Sequence, residues 1–236
     1  MRAHPSTLTS VSRSAYDLIL DWIYEHSVPP GTKLSERGVV EELGLSRMPV
    51  REAMKRLSLE GLLVQVPGRG TCLRTYNEQD ILDLYAYREV LDGMATRLFT
   101  LRADTNEVHY VRMLCEGMEV LSREYDAREW DEKDYDFHTT IARGCRNARI
   151  LTALETVLRE CMYLWKQYRF AHGYNDPKVP PSYLPDVLGE HQQIVDAIAG
   201  GDPDHAEKVA RKSVQDGVAR RVRRLVKRTR PLGPKP

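Results

Sequence analysis

The chain has 236 residues, 42% of them apolar and 29% charged, with 35 Lys and Arg against 34 Asp and Glu for a formal net charge of +1. That length suits two domains better than one, the apolar share is ordinary for a soluble globular protein, and no run approaches the roughly 18 apolar residues that a membrane-spanning helix needs. The four cysteines, Cys72, Cys115, Cys145 and Cys161, are scattered without a CxxC pair, which argues against a zinc knuckle or disulfide frame and for a reducing cytoplasm.

The first ten residues, MRAHPSTLTS, have no apolar core; they read as a flexible arm (1–10) and not as a secretion signal. Apolar residues at Ala15, Leu18, Ile19, Trp22 and Ile23 predict a helix over 15–24. Ser35 is a natural N-cap for a second short helix ending at Leu43, and Gly44 supplies a turn. A third helix starts at Ser46 and carries Val50, Met54 and Leu57 on one face and Arg47, Arg51, Lys55 and Arg56 on the other. Arg47 and Arg51 are four apart, so both project from the start of that helix, where guanidinium groups suit guanine edges or phosphates. Taken alone, the same helix is equally a solvated surface helix. Residues 62–66, Pro67-Gly68-Arg69-Gly70 and 71–73 then predict strand, glycine turn and strand, a small wing with Arg69 at its tip.

Three helices and a wing predict a winged helix-turn-helix over residues 11–75. In order along the chain come Pro30-Gly31-x-x-Leu34, Ser46-Arg47-x-Pro49-Val50-Arg51-Glu52-Ala53, Glu60-Gly61-Leu62 and Gly68-Arg69-Gly70. On these residues the segment resembles the DNA-binding domain of the GntR family of bacterial transcription regulators. The resemblance implies DNA contacts by Arg37, Ser46, Arg47, Arg51 and Gly68; charge and position add Arg69. Met48 departs from the small polar residue common in the family, which bears on base preference. Gly38 departs too, and costs the second helix about 1 kcal/mol relative to Ala.

Charge is segregated. Residues 1–75 hold 10 basic and 8 acidic side chains, residues 76–219 hold 17 and 26, and residues 220–236 hold 8 and none. The acidic middle would be repelled by DNA, so it has another task. The basic end either touches phosphates without sequence preference or is a solvated helix end favoured by the helix dipole. From Asn77 only helices are predicted: about 77–101, 104–121, 130–143, 148–169, 188–199 and one opened by Asp202-Pro203. A proline-containing loop fills 172–185. This predicts a mainly α chain, with an all-helical bundle over 76–226 and a flexible basic tail over 227–236.

Within that bundle Tyr87-Arg88-x-x-Leu91-Asp92, Asp134-x-x-Phe137-His138-x-x-Ile141, Arg146-Asn147-x-x-Ile150, Glu190-His191-x-x-Ile194-x-x-Ala197-Ile198 and Gly201-Asp202-x-x-x-Ala206 occur in order. Together they resemble the FCD effector-binding and dimerisation domain of the FadR subfamily of GntR regulators, over about residues 78–222.

Asp134 and His138 lie four apart and leave one helix face, flanked by Phe137 and Ile141. Spacing alone fits either a surface Asp–His pair or two ligands for a divalent first-row metal. The resemblance adds His191 as a third ligand. It places a fourth, a histidine in the family, at Ser213, whose neutral hydroxyl is a poor ligand. Three outcomes stay open: a three-ligand site for zinc, nickel or manganese completed by water or effector, weak binding, or a lost site with an organic ligand alone. Arg88 either pairs with Asp92 or another acidic neighbour or, as the resemblance implies, faces a small carboxylate effector. Tyr163, Tyr168 and Arg169 are further candidates for the cavity wall. His4, His26, His109, His172 and His205 have no metal-like context.

These residues point to a cytoplasmic, effector-responsive transcription regulator. It is expected to be a repressor that binds a double-stranded, pseudo-palindromic operator as a homodimer, with no membrane attachment. A metal-responsive sensor is the alternative. A metal-dependent hydrolase built on Asp134, His138 and His191 lacks a nucleophile–base pair and a phosphate-binding glycine loop, so the chain is not expected to be an enzyme.

Overall fold

The computed structural model describes residues 14–26, 28–171 and 178–228. The N-terminal arm, positions 172–177 of the proline-containing loop and the last eight residues lie outside them. The chain divides into two compact units, Met1–Thr75 and Tyr76–Pro236.

The first unit holds α1 (Ala15–Glu25), α2 (Glu36–Leu43), α3 (Arg47–Leu59), β1 (Leu63–Val66) and β2 (Gly70–Leu73). α1 and α2 start where the sequence supplies a cap. Ser14 and Asp17 form a capping box on α1, and the Ser35 hydroxyl accepts the Gly38 N–H at 3.0 Å on α2. Gly44 ends α2 in the left-handed region (φ 65°), which costs a glycine little and reverses the chain into α3. One face of each helix is buried. Ile19 and Ile23 of α1, Val39 of α2, and Val50, Met54 and Leu57 of α3 close a core with Leu34, Leu62, Leu63 and Leu73. Each such side chain contributes roughly 1.5–3 kcal/mol by leaving water. β1 and β2 pair antiparallel from Leu63↔Leu73 to Val66↔Gly70, and Lys33 bridges to Cys72 on the outer side. The result is the winged helix-turn-helix that the sequence predicts.

The second unit is all-helical: α4 (Glu78–Arg102), α5 (Thr105–Arg123), α6 (Ala127–Gly144), α7 (Ala148–Ala171), α8 (Leu184–Ala199) and α9 (Pro203–Arg228). Asn77 with Asp80 and Asp104 with Glu107 cap α4 and α5 reciprocally. Two helices start earlier than their apolar patterns predict. Asp126 caps α6 by accepting from the Arg128 and Glu129 N–H groups, three residues before Trp130 at 127. Pro185 lies in the first turn of α8, where a missing N–H costs nothing, so α8 takes in residues 184–187.

α4 packs against α6, α7, α8 and α9, and so it is buried on several faces. Phe99, Met118, Phe137 and Leu154 are fully buried. Gly144 at the end of α6 makes room for this packing, since a Cβ there would lie 2.4 Å from the Phe99 ring. All four cysteines are free and buried. No helix among the described residues is long and apolar enough to cross a membrane.

Candidate functional site

In the first unit the predicted contact residues all reach solvent. Ser46 stands at the N-cap of α3, but its hydroxyl makes no capping bond, so it is left for another partner. Arg47 is exposed and has no ion-pair partner among the described residues. Arg51 is exposed, with Glu36 at 3.5 Å, and Arg37 pairs with Glu41 at 2.8 Å. Such exposed pairs are worth at most about 1 kcal/mol, so either arginine can exchange its glutamate for a stronger acceptor. The rest of the cationic face of α3 is committed elsewhere. Lys55 pairs with Glu52, and Arg56 bonds Glu60 and covers the Tyr16 ring at 3.9 Å. Gly68 sits in the wing turn at φ 74°. Arg69 folds back, donating Nη2–H to the Gly31 carbonyl at 3.1 Å.

The second unit holds a partly open cavity of about 70 Å³ between α4, α6, α7, α8 and α9. Arg88, Asp134, His138, His191 and Ser213 all line it. The structure thus brings together the three proposed metal ligands, the effector arginine and the departing fourth position. Of the further wall candidates, Tyr163 is a buried core residue outside the lining, and the side chains of Tyr168 and Arg169 lie outside the described residues.

Arg88 and Asp92 are buried, and they meet through Nε and Oδ2 at 2.8 Å. The other carboxylate oxygen of Asp92 accepts from His138 Nδ1 at 3.2 Å. With the proton on Nδ1, His138 Nε2 offers a lone pair, and Arg88 Nη2 donates to it at 3.0 Å. The three side chains close a ring of hydrogen bonds. Burial alone would raise the Asp92 carboxyl; the hydrogen bonds from His138 and Arg88, with the guanidinium charge, more than reverse this and hold it well below the usual carboxylate range. Burial likewise works against the Arg88 charge, but Asp92 offsets it and keeps the guanidinium protonated. Arg88 therefore pairs with Asp92 and also lines the cavity.

His191 Nε2 lies 3.3 Å from Asp134 Oδ1 and 3.4 Å from His138 Nε2. The ligand atoms of Asp134, His138 and His191 all fall within 4.8 Å of one another. Tetrahedral zinc with bonds of about 2.0–2.1 Å separates its ligands by about 3.3 Å, which is the spacing of two of these pairs. The donor set fits a divalent ion. Asp92 orients His138 from behind, as a carboxylate behind a ligating imidazole does, whereas His191 Nδ1 is buried with no hydrogen-bond partner among the described residues. Arg88 holds the lone pair of His138 that an ion would use. Burial pushes His191 down to about 4, with Asp134 opposing, so the ring is neutral near pH 7.

Three cavity groups escape a sequence reading. Asp131 is buried on α6 and lines the wall. Glu190 and Arg220 also line it and form a two-pronged ion pair, with Nη2–Oε2 at 2.7 Å. The only local signals are the place of Glu190 beside His191 and the position of Arg220 seven residues after Ser213 on α9.

The family model described as bacterial regulatory proteins, gntR family, matches residues 11–73, and that of the FCD domain matches residues 83–216. A probable D-xylose utilization operon transcriptional repressor of Paenarthrobacter nicotinovorans is 32% identical over 203 residues, covering 85% of this chain and 84% of that protein. A gluconate operon transcriptional repressor of Bacillus licheniformis is 28% identical over 193 residues, 80% and 76% of the two chains. Among solved structures, E. coli McbR/YncC shares the fold with a TM-score of 0.74 at 16% identity, covering 89% of this chain and 96% of that one.

Proposed function

Because the chain belongs to the GntR family of bacterial regulatory proteins and carries the FCD domain, we propose that this DNA-binding transcription regulator is a cytoplasmic repressor whose homodimer releases a pseudo-palindromic operator when a small organic acid enters the helical unit. It is a regulator and not an enzyme. The observation that carries the DNA half of the proposal is the exposed start of α3, where Ser46, Arg47 and Arg51 stand free of the core. Arg47 and Arg51 read base edges in a major groove, and the exposed Met48 (63%) suits a thymine methyl. Arg37, Gly68 and Arg69 hold the backbone, Arg69 after leaving the Gly31 carbonyl. Arg51→Ala is expected to weaken specific binding by about 1–3 kcal/mol in a gel-shift titration at fixed salt. Unchanged operator affinity would remove Arg51 from the interface.

In the helical unit Arg88 and the Asp134–His138–His191 set receive the acid. The relatives named for D-xylose and gluconate operons support a small, oxygen-rich carbon compound or a product of one. An ion held by the three ligands supplies a Lewis-acid anchor for a carboxylate oxygen. The acid acts as an effector only if it binds the operator-competent and operator-incompetent states with different affinity. Protein purified without chelator is expected to hold about one zinc, nickel or manganese ion per chain, lost in a His138→Ala/His191→Ala variant; the three-ligand geometry is what a bound ion would require. Absence of ion after incubation with all three salts would mean that Ser213 marks a lost site.

The convergence of three ligand atoms also favours a second reading, in which the ion itself is the signal. That reading requires metal to change operator affinity with no organic acid present.

A further inference from the structure

Beyond the effector site around Arg88, the cavity has a polar wall that this function has not used. We propose that Glu190 and Arg220, together with Ser213, form a second recognition subsite that takes a neutral hydroxyl, so that the effector is a compact hydroxy acid and not a dicarboxylate. The inference rests on the reading of the cavity as an organic-acid site.

Both members of the ion pair face the cavity while being largely withdrawn from solvent, with Arg220 18% and Glu190 13% exposed. The guanidinium does not offer a spare positive charge. Glu190 engages it with both oxygens, and Asp186 and Asp216 add to the negative charge around it. Asp131 and Asp134 line the same cavity. A second carboxylate entering here would meet more negative charge than positive.

A hydroxyl is suited to the same place. Two of the five guanidinium N–H groups are used by Glu190, and the carboxylate keeps unused lone pairs. The pair thus presents donors beside acceptors, which is what a group that both donates and accepts requires. On α9, Ser213, Gly217 and Arg220 follow at i, i+4 and i+7 and all line the cavity. Ser213 adds a hydroxyl, and Gly217 adds no side chain, which leaves space between the two. Among the described residues no hydrogen bond joins Glu190 or Arg220 to Arg88, His138 or His191, so the two polar regions act separately. The cavity volume, on the order of five water sites, suits an acid of a few carbons.

The test is calorimetric titration of the full chain, with equimolar zinc present, using butyrate, 2-, 3- and 4-hydroxybutyrate, and succinate. At least one hydroxybutyrate is expected to bind 10-fold or more tightly than butyrate, and succinate no more tightly than butyrate. In Glu190→Gln and in Ser213→Ala that preference falls to about onefold. Ser213→Ala leaves the ion pair intact and keeps the test decisive if Glu190→Gln fails to fold. Equal affinity for butyrate and all three hydroxybutyrates, tightest binding by succinate, or a preference that survives both substitutions overturns the subsite and leaves the acid-binding cavity standing. Binding of none of these acids overturns both.

Discussion

Replacing Arg88 with methionine is expected to cost the helical unit about 3–5 kcal/mol, because it leaves the buried Asp92 carboxylate without its cation. Asp92 spends one oxygen on Arg88 Nε and the other on His138 Nδ1. With the guanidinium gone, one oxygen is unsatisfied in a buried site, and His138 Nε2 loses its donor as well. Methionine fills much of the volume, so the loss reports charge and hydrogen bonding more than a cavity. The double variant Arg88→Met/Asp92→Leu separates the two causes. Removing both charges relieves the unpaired carboxylate and is expected to recover a large part of the loss. Urea unfolding followed by circular dichroism measures both. A single-variant cost below about 1 kcal/mol would show that His138 alone satisfies Asp92, and Arg88 would then be free to serve a ligand.

Acid is expected to weaken the same unit in a window that belongs to His191. The ring is buried, and burial lowers its pKa from 6.5 to about 4. Below about pH 6.5 the unfolded chain binds a proton at this residue, while the folded chain does not until near pH 4. The unfolded state therefore gains, and stability present above pH 6.5 is lost as pH falls toward 4. The shift corresponds to a loss of about 3 kcal/mol across the window. Asp92 acts further down, since its depressed carboxyl protects the fold above the ordinary carboxylate range and gives up that contribution only in stronger acid. Urea midpoints measured from pH 8 to pH 4 in chelator should fall steeply for the parent and much less for His191→Asn. Equal slopes in the two proteins would place the acid sensitivity elsewhere.

The local parts of this molecule were readable because local chemistry sets them. Ser35 marks the start of α2 by capping and Gly44 its end by a left-handed turn, and the apolar spacing of Val50, Met54 and Leu57 shows which face of α3 is buried. The six helices of the second unit follow the same signals. Two starts lie ahead of the apolar pattern for different reasons: Asp126 caps α6 before the first apolar residue of its series, and Pro185 reads as a loop although it is tolerated in the first turn of α8. In the site, spacing found Asp134 with His138 and Arg88 with Asp92, since both pairs are four residues apart. His191 was reached only through family resemblance. The ring from Arg88 to His138 joins positions 50 residues apart, and the Arg220–Glu190 pair joins positions 30 apart. The return of Arg69 to Gly31 crosses 38. Such contacts depend on how helices and loops pack, which no short window of sequence contains.

The ring formed by Arg88, Asp92 and His138 also bears on how such a protein can diverge. Each member holds the other two, so a change at any one exposes a buried charge or an orphaned donor, and only paired changes pass through stable intermediates. Ser213, by contrast, lines the cavity without a side-chain hydrogen bond among the described residues. The ring on α4 and α6, like the Arg220–Glu190 pair, can change only as a unit, whereas Ser213 can change alone. New ligand preferences should therefore arise first at Ser213, with the ring and the Arg220–Glu190 pair kept.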